Sequence, residues 1–334
     1  MDKSKFITPI SVIIPAYNAA PYISRAIESA LCQTCPPLEV IVIDDGSIDD
    51  TKFIIQKYKN NVRYYYQDNM GEPSARNHGI ENALGDWIAF LDADDEWLPH
   101  HLNTAVQILA KYPFLKWYCA AYIHKSQETG EVVSVCKFPR RNKYLINGEY
   151  FEDYMQAVPP YGYFSSSTMI INKEVFKTVG NFDTSLKVGC DRNMWFRIAL
   201  EYPAVGYSTV PSAIIWKHRD SLSHSKQPDT DRTISSIKRY IEIATHKNNN
   251  ALRRSRSRIS DWIKRNLCVA ISRQDKELVK RIILEFKPWL PLKWRMLSKA
   301  YLFLPFNKGN ILSFIKNIIR KFHNILVFLN NKVI

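Results

Sequence analysis

Four acidic side chains, Asp92, Asp94, Asp95 and Glu96, stand directly behind the apolar run 87–91 in the stretch AFLDADDEW. A buried strand ending in a knot of carboxylates repels itself, so something must balance the charge. Helix N-termini favour acids, and Trp97-Leu98-Pro99 could open a helix. Closely spaced carboxylates at a strand end also hold hard divalent cations such as Mg²⁺ or Mn²⁺. The elements that deliver these residues decide between the two.

Residues 1–100 alternate between strand and helix patterns. Short apolar strands are expected at 11–14 (closed by Pro15), 39–43, 62–66 and 87–91, and helices at about 21–31, 49–58 and 72–84. That rhythm predicts an α/β fold with a Rossmann-like, mostly parallel sheet covered by helices on both faces. In such sheets ligands sit outside the carboxyl ends of the strands. Those ends read Pro15-Ala16-Tyr17-Asn18, Asp44-Asp45-Gly46-Ser47 and Asp92-Ala93-Asp94-Asp95. Three strand ends carrying such residues favour a ligand site over a helix cap. Beyond residue 100 the pattern is mixed. It gives a helix at 102–112, a hairpin from 116–124 and 131–136, a strand at 165–171 and a helix at 191–202. After residue 231 it is almost wholly helical.

The 334 residues, 46% hydrophobic, suffice for one large domain or a main domain with an appendage. From Arg232 onward Lys and Arg outnumber Asp and Glu 23 to 5, whereas residues 1–231 hold 23 and 27. A mildly acidic domain therefore carries a strongly basic tail, which implies an anionic partner, phospholipid or nucleic acid. Cys32 and Cys35 form a lone CxxC without the second half a zinc site needs. The segment before the first strand has no apolar h-region, so no secretory signal is expected and a cytoplasmic setting fits.

The stretches SVIIPAYNAAPYISRAIESALCQT, EVIVIDDGSIDDT, GEPSARNHGI, GDWIAFLDADDEWLP and CDRNMWFRIA resemble the family 2 glycosyltransferases of the bacterial surface-polysaccharide type. The resemblance covers roughly residues 8–225 and implies the GT-A fold. A catalytic domain over 1–228 is implied, with a nucleotide-sugar half at about 8–100 and an acceptor half at about 101–228. Residues 229–334 would form a helical, basic extension that lies on a membrane surface.

The resemblance also implies roles. Pro15, Tyr17 and Asn18 would flank a uracil-type base. Asp45, with Asp44 beside it, would accept from the imide N–H, as an acceptor-only carboxylate suits; a plain turn is the alternative. Arg76 would help hold the nucleotide, against the alternative of a solvated helix arginine, with Asn77 and Gly79 letting the helix lie close to the ligand. Asp92-Ala93-Asp94 matches the DxD: Asp94 would bind Mg²⁺ or Mn²⁺ at the diphosphate, and Asp92 would face ribose or sugar. Asp191 would be the general base, although Cys190 stands where the family has an acid. Arg197 is the helix arginine of that motif. His218 would ligate the metal or touch the diphosphate, with His224 a weaker choice. Tyr161, Tyr163 and residues 165–168 would line the acceptor cleft or simply pack.

Family 2 enzymes invert, so one base and one metal suffice: a carboxylate deprotonates the acceptor hydroxyl, and the cation stabilises the leaving diphosphate. The expected donor is a UDP-sugar and the expected acceptor a saccharide or lipid-linked saccharide, met at the inner face of the cell membrane. A basic amphipathic run at 311–329, with Trp289 and Trp294 at headgroup level, is expected to hold the protein there. Two rivals differ in kind. A haloacid-dehalogenase-type phosphatase would place its DxD on the first strand, not the fourth. A non-catalytic nucleic-acid- or membrane-binding protein would have no use for Asp94 and Asp191.

Overall fold

The computed structural model describes residues 9–136, 144–157, 164–186, 189–218 and 230–303. The chain divides into two compact units, Met1–Ser225 and Lys226–Ile334. The first unit opens with β1 (Ile10–Ala16), α1 (Ile23–Leu31), β2 (Glu39–Asp45), α2 (Thr51–Gln56), β3 (Val62–Gln67), α3 (Glu72–Asn82) and β4 (Trp87–Phe90). It continues with β5 (Glu96–Trp97), α4 (His101–Lys111), β6 (Trp117–Ser126), β7 (Val132–Cys136), β8 (Leu145–Ile146), β9 (Tyr150–Phe151), α5 (Tyr154–Ala157), β10 (Ile170–Asn172), α6 (Glu174–Val179), α7 (Cys190–Glu201) and β11 (Val205–Lys217).

The strands form one mixed sheet in the order β3-β2-β1-β4-β10-β6-β11-β9-β8. β3, β2, β1 and β4 run parallel, and β10 is antiparallel to β4 and β6. The chain builds outward through β1, β2 and β3, then returns to the other side of β1 with β4. A crevice opens at such a switch point, beyond the carboxyl ends of the strands. Ile23, Ala26, Ile27 and Ala30 of α1 and Leu102 and Ala105 of α4 cover one face, all fully buried. On the other face Phe90 meets Phe176, Phe182 and Trp195 from α6, α7 and the loop between them. Each such side chain buried contributes roughly 1.5–3 kcal/mol.

Several expectations need correction. β1 runs on through Pro15 to Ala16, with Pro15 opposite Ile43. Ile13 O accepts from Leu91 N, so residues of that parity face β4. Pro15 shares the parity, but β4 has already ended, and its missing N–H costs the ladder nothing. Residues 97–99 open no helix: Glu96 and Trp97 pair with Ile214 and Ala213 of β11. Residues 166–168 form a 3₁₀ turn ahead of β10, with Ser165 Oγ accepting from Ser167 N at 3.3 Å. Local side-chain hydrogen bonds of Ser compete with the ladder there. The close approach at Gly79 is to β1 and not to a ligand, since a Cβ would sit 2.5 Å from Ile13 Cγ2.

The second unit holds α8 (Thr230–Lys247), α9 (Asn249–Ser272), α10 (Lys276–Glu285) and α11 (Leu292–Phe303). Trp294 is 4% exposed, so it belongs to the core of this unit and not to a headgroup layer. Trp289 lies under Arg256, 5.1 Å from its guanidinium carbon. The run 311–329 lies outside the described residues. Among the described residues no helix is long and apolar enough to cross a membrane.

At the opposite end of the sheet from the crevice, Glu39 ties four segments together. Its carboxylate accepts from Ser11 Oγ (2.5 Å) and Leu84 N (2.6 Å) and pairs with Arg63, which also donates to Asn82 O (3.0 Å). Burial pushes the Glu39 pKa up, but the bonds from Ser11, Leu84 and Arg63 outweigh it and hold it below the ordinary 4.5. A depressed carboxylate stabilises the fold above its unfolded pKa and loses that contribution as pH falls through the folded value. Hydrogen bonds to charged groups contribute about 1.5–3 kcal/mol. Glu39→Gln is therefore expected to lower the unfolding free energy at pH 7 by that order and to flatten its pH dependence below about pH 5. Urea titrations at pH 4 and pH 7 check both.

Candidate active site

Two loops meet at the ends of β1 and β2. Asn18, at φ +48°, donates from its N–H to Ser47 Oγ (3.0 Å) and accepts from Ile48 N (2.9 Å). Ala19 N donates to Thr51 Oγ1 and Ala20 N to Asp49 Oδ2. Asn tolerates the left-handed conformation, and its short amide reaches back to a neighbouring backbone. The result is a fixed concave edge from which Tyr17 projects, 51% exposed. Asp44 and Asp45 are both directed inward. Asp44 accepts from Ser47 N and Tyr64 OH. Asp45 accepts from Gln67 Nε2 (2.7 Å), Met70 N (2.9 Å) and Gly71 N (2.8 Å). Together they shape the turn after β2 and the loop that leads into α3.

Each of the four acids behind β4 has a partner, and Asp95 and Glu96 share Trp216. Asp92 Oδ1 lies 2.8 Å from Arg76 Nη2. Ala93 is 8% exposed and faces the core, leaving only its backbone for a ligand. Asp94 Oδ2 lies 2.9 Å from His218 Nε2. Asp95, buried, accepts from Ser167 Oγ (2.5 Å) and Trp216 N (3.2 Å), and Glu96 accepts from Trp216 Nε1 (3.3 Å). Burial pushes the carboxyl of Asp95 well above its ordinary range, and Asp94 and Asp92 add to the shift. Burial and Asp94 likewise raise Asp92, against the pull of Arg76.

Arg76 is not a solvated helix arginine, at 1% exposed. It sits between Asp92 and Glu72 Oε1 (2.5 Å), its Nη1 is 3.9 Å from Cys190 Sγ, and its guanidinium lies over Phe182 (5.4 Å). The surrounding acids hold its pKa far above an already high value despite burial. Glu72, which the sequence does not single out, has its pKa pushed up to about 7 by burial, relieved by Arg76 and reinforced by Asp92, Asp191 and Asp94.

Asp191 stands in the first turn of α7, next to buried Cys190, whose thiol is pushed up to about 12 by burial. Its charge acts on Glu72, Arg76 and Asp92, so this carboxylate lies near the Arg76 cluster. Arg197 anchors the preceding loop through Val179 O (2.5 Å) and Asn181 O (2.7 Å). Asn77 clamps the same loop, accepting from Phe182 N (2.8 Å) and donating to Phe182 O (2.9 Å). Both hold the loop that leads toward Asp191. Tyr161, Tyr163 and His224 lie outside the described residues.

Among the described residues no three His, Cys, Asp or Glu side chains converge as a metal shell. The pair Asp94 and His218 nevertheless suits a cation shared with a ligand. It offers one oxygen and one nitrogen at the mouth of the crevice, with side chains 35% and 12% exposed. Magnesium-like ions are commonly held by one or two protein groups, with phosphate oxygens and water completing the shell. The crowding that raises Asp92 and Asp95 is what a cation would relieve.

The model of the family described as Glycosyl transferase family 2 matches residues 11–180. An uncharacterised glycosyltransferase of Rickettsia typhi is 33% identical over 199 residues, which cover 59% of this chain and 60% of that protein. The putative teichuronic acid biosynthesis glycosyltransferase TuaG of Bacillus subtilis is 40% identical over 104 residues, 30% of this chain and 41% of TuaG. The chain thus spans 60% of the Rickettsia typhi relative and 41% of TuaG. Residues 1–349 of S. aureus TarS, solved in complex with UDP-GlcNAc, superpose with a TM-score of 0.68 at 16% identity, covering 94% of this chain and 91% of that one. The same TarS segment in complex with UDP gives 0.67. At that identity the likeness is one of fold, and it is the α/β architecture read from the sequence.

Removing one member of a buried ion cluster strands the others, at a cost of about 3–5 kcal/mol. Arg76→Met should destabilise the first unit by that order. The carboxyls left behind have raised folded pKa values, so the folded state binds more protons and stability falls as pH rises. The deficit relative to the native chain is therefore expected to be larger at pH 8 than at pH 5.5, as thermal unfolding at the two pH values would read.

Proposed function

The chain belongs to glycosyltransferase family 2, and from that premise we propose that it is an inverting glycosyltransferase. It moves a sugar from a nucleoside-diphosphate sugar to a hydroxyl of a saccharide or lipid-linked saccharide, in the assembly of a surface polysaccharide. The observation that carries this reading is that Asp92 pairs with Arg76 and Asp94 with His218 just past the carboxyl end of β4, with Asp191 near enough for its charge to act on Asp92. A UDP-sugar is the preferred donor, because the TarS structures of the same fold carry UDP and UDP-GlcNAc.

In this reading Tyr17 and the edge formed by Pro15 and Asn18 receive the base. Asp44 and Asp45 act by shaping that edge and bind the imide through their remaining lone pairs. Asp92, with one oxygen on Arg76, presents the other to ribose or sugar. Asp94 and His218 would hold Mg²⁺ or Mn²⁺, which when bound supplies Lewis-acid stabilisation of the leaving diphosphate. Asp191 takes the proton from the acceptor hydroxyl as its oxygen attacks the anomeric carbon from the face opposite the diphosphate. Arg76 keeps Asp92 and Glu72 compatible with a further negative charge at Asp191.

The paired test uses Asp94→Ala and Asp191→Asn. Asp94→Ala should abolish Mn²⁺-dependent UDP binding in titration calorimetry. Asp191→Asn should keep donor binding while lowering transfer by ~10²–10⁴-fold. Turnover of Asp191→Asn within a few-fold of the native chain would point to another base.

The second part of the proposal concerns place. After Glu285 the chain carries nine Lys or Arg and no Asp or Glu through to Ile334. Near an anionic membrane each basic residue contributes roughly 1 kcal/mol. The proposed setting is peripheral, on the cytoplasmic face of the cell membrane, where a lipid-linked acceptor is met. Flotation with anionic liposomes should carry the full chain and leave a truncation after Asn248 behind. Equal flotation of both, or of neither at low salt, rejects it.

A further inference from the structure

The geometry points to Tyr22 and Arg25, on the first turn of α1, as positioning residues that set the Asp94–His218 pair at its metal-binding spacing. The inference rests on the proposed role of that pair. Neither residue belongs to the strand ends from which the site was read. Both come from a helix whose other face is core, through Ile23, Ala26, Ile27 and Ala30.

Asp94 and His218 arrive from distant parts of the chain, one on the turn after β4 and the other just past the end of β11. The β5–β11 pairing and the bond from Trp216 N to Asp95 bring the two segments side by side, but stop short of Asp94 and His218 themselves. Arg25 touches both sides of it. Its Nη2 donates to the backbone carbonyl of Asp94 at 2.8 Å. Its guanidinium carbon sits 4.4 Å from the ring of Trp216, two residues before His218. Its Nη1 donates to Gln127 Oε1 at 3.1 Å, and the N–H of Gln127 donates to Lys217 O at 2.9 Å. One planar fork thus grips the Asp94 turn and, by two routes, the strand end that carries His218. A guanidinium suits this work because it donates in fixed directions while stacking on an aromatic face.

Tyr22 completes the arrangement. Its ring stacks on the imidazole of His218, with centroids 4.9 Å apart and planes 28° apart. His218 Nδ1 is buried and has no hydrogen-bond partner among the described residues. Metal-binding histidines are usually oriented by a bond to the second nitrogen. Among the described residues none makes that bond, and the stack on Tyr22 orients the ring, leaving Nε2 aimed at Asp94 at 2.9 Å.

A cation near carboxylates could instead act only through its charge, and the two roles predict opposite signs. If Arg25 is merely a neighbouring positive charge, Arg25→Gln removes a repulsion and tightens Mn²⁺ binding, while Arg25→Lys changes nothing. If Arg25 positions the pair, Arg25→Gln and Arg25→Lys both weaken Mn²⁺ binding, because Lys cannot stack and fork at once. Losing a charge-assisted hydrogen bond sets the expected loss at roughly tenfold. Tyr22→Leu should weaken binding several-fold, and Tyr22→Phe, which keeps the ring, should match the native chain.

The measurement is the fraction of bound Mn²⁺ by electron paramagnetic resonance, on the full chain with UDP present. Metal-free thermal unfolding is recorded for each variant. Asp94→Ala is the control. If it leaves Mn²⁺ binding intact, the metal reading fails and this inference falls with it. If Asp94→Ala abolishes binding while both Arg25 variants bind as the native chain does, or Gln binds tighter, the positioning role alone is overturned. Should the Arg25 variants not fold, the Tyr22 pair decides: equal binding by Tyr22→Leu and Tyr22→Phe rejects the stack.

Discussion

The guanidinium of Arg76 is the charge on which the crevice depends. Glu72 and Asp92 crowd the start of α3 and the end of β4, with Asp191 of α7 close by, and burial alone would drive protons onto Glu72 and Asp92. One fully buried cation, bonded to two of these acids and resting on Phe182, lets them coexist. Cys190 fits the same account. Its buried thiol lies 3.9 Å from Arg76 Nη1 and adds no further negative charge to the cluster.

The four acids behind β4 look alike in sequence and do unlike things. Asp92 is tied to a permanent positive charge, Asp94 to a histidine, and Asp95 to a hydroxyl and a backbone N–H. Asp95 and Glu96 hold Trp216, and so the end of β11, against the turn after β4. The second half of the cluster thus builds the wall against which the first half works.

A similar division appears at β2. Asp44 and Asp45 spend most of their hydrogen-bonding capacity on backbone N–H groups and on Tyr64 and Gln67. Buried carboxylates so engaged rigidify a loop, and the loop then presents Tyr17 and the Asn18 turn as a preformed edge. Preorganised edges of this kind spare a ligand the cost of ordering them.

By itself the sequence determined the alternation of strand and helix, the three strand ends that carry the site, and the family. These follow from local periodicity and contiguous motifs, which need no knowledge of distant partners. It also singled out Arg76, Asp94, Asp191 and His218. Only the tertiary structure decided what surrounds them. Glu72 joins the site because a helical turn places it four residues ahead of Arg76. Tyr22 and Arg25 join because α1 packs beside the β4 turn, and Trp216 because β11 returns there from more than a hundred residues away. Trp294 left the membrane-facing set for the same kind of reason: a tryptophan among lysines reads as an interfacial anchor until a helical core is seen to enclose it. Pairing across such separations is set by packing, and packing leaves no periodic trace in the chain.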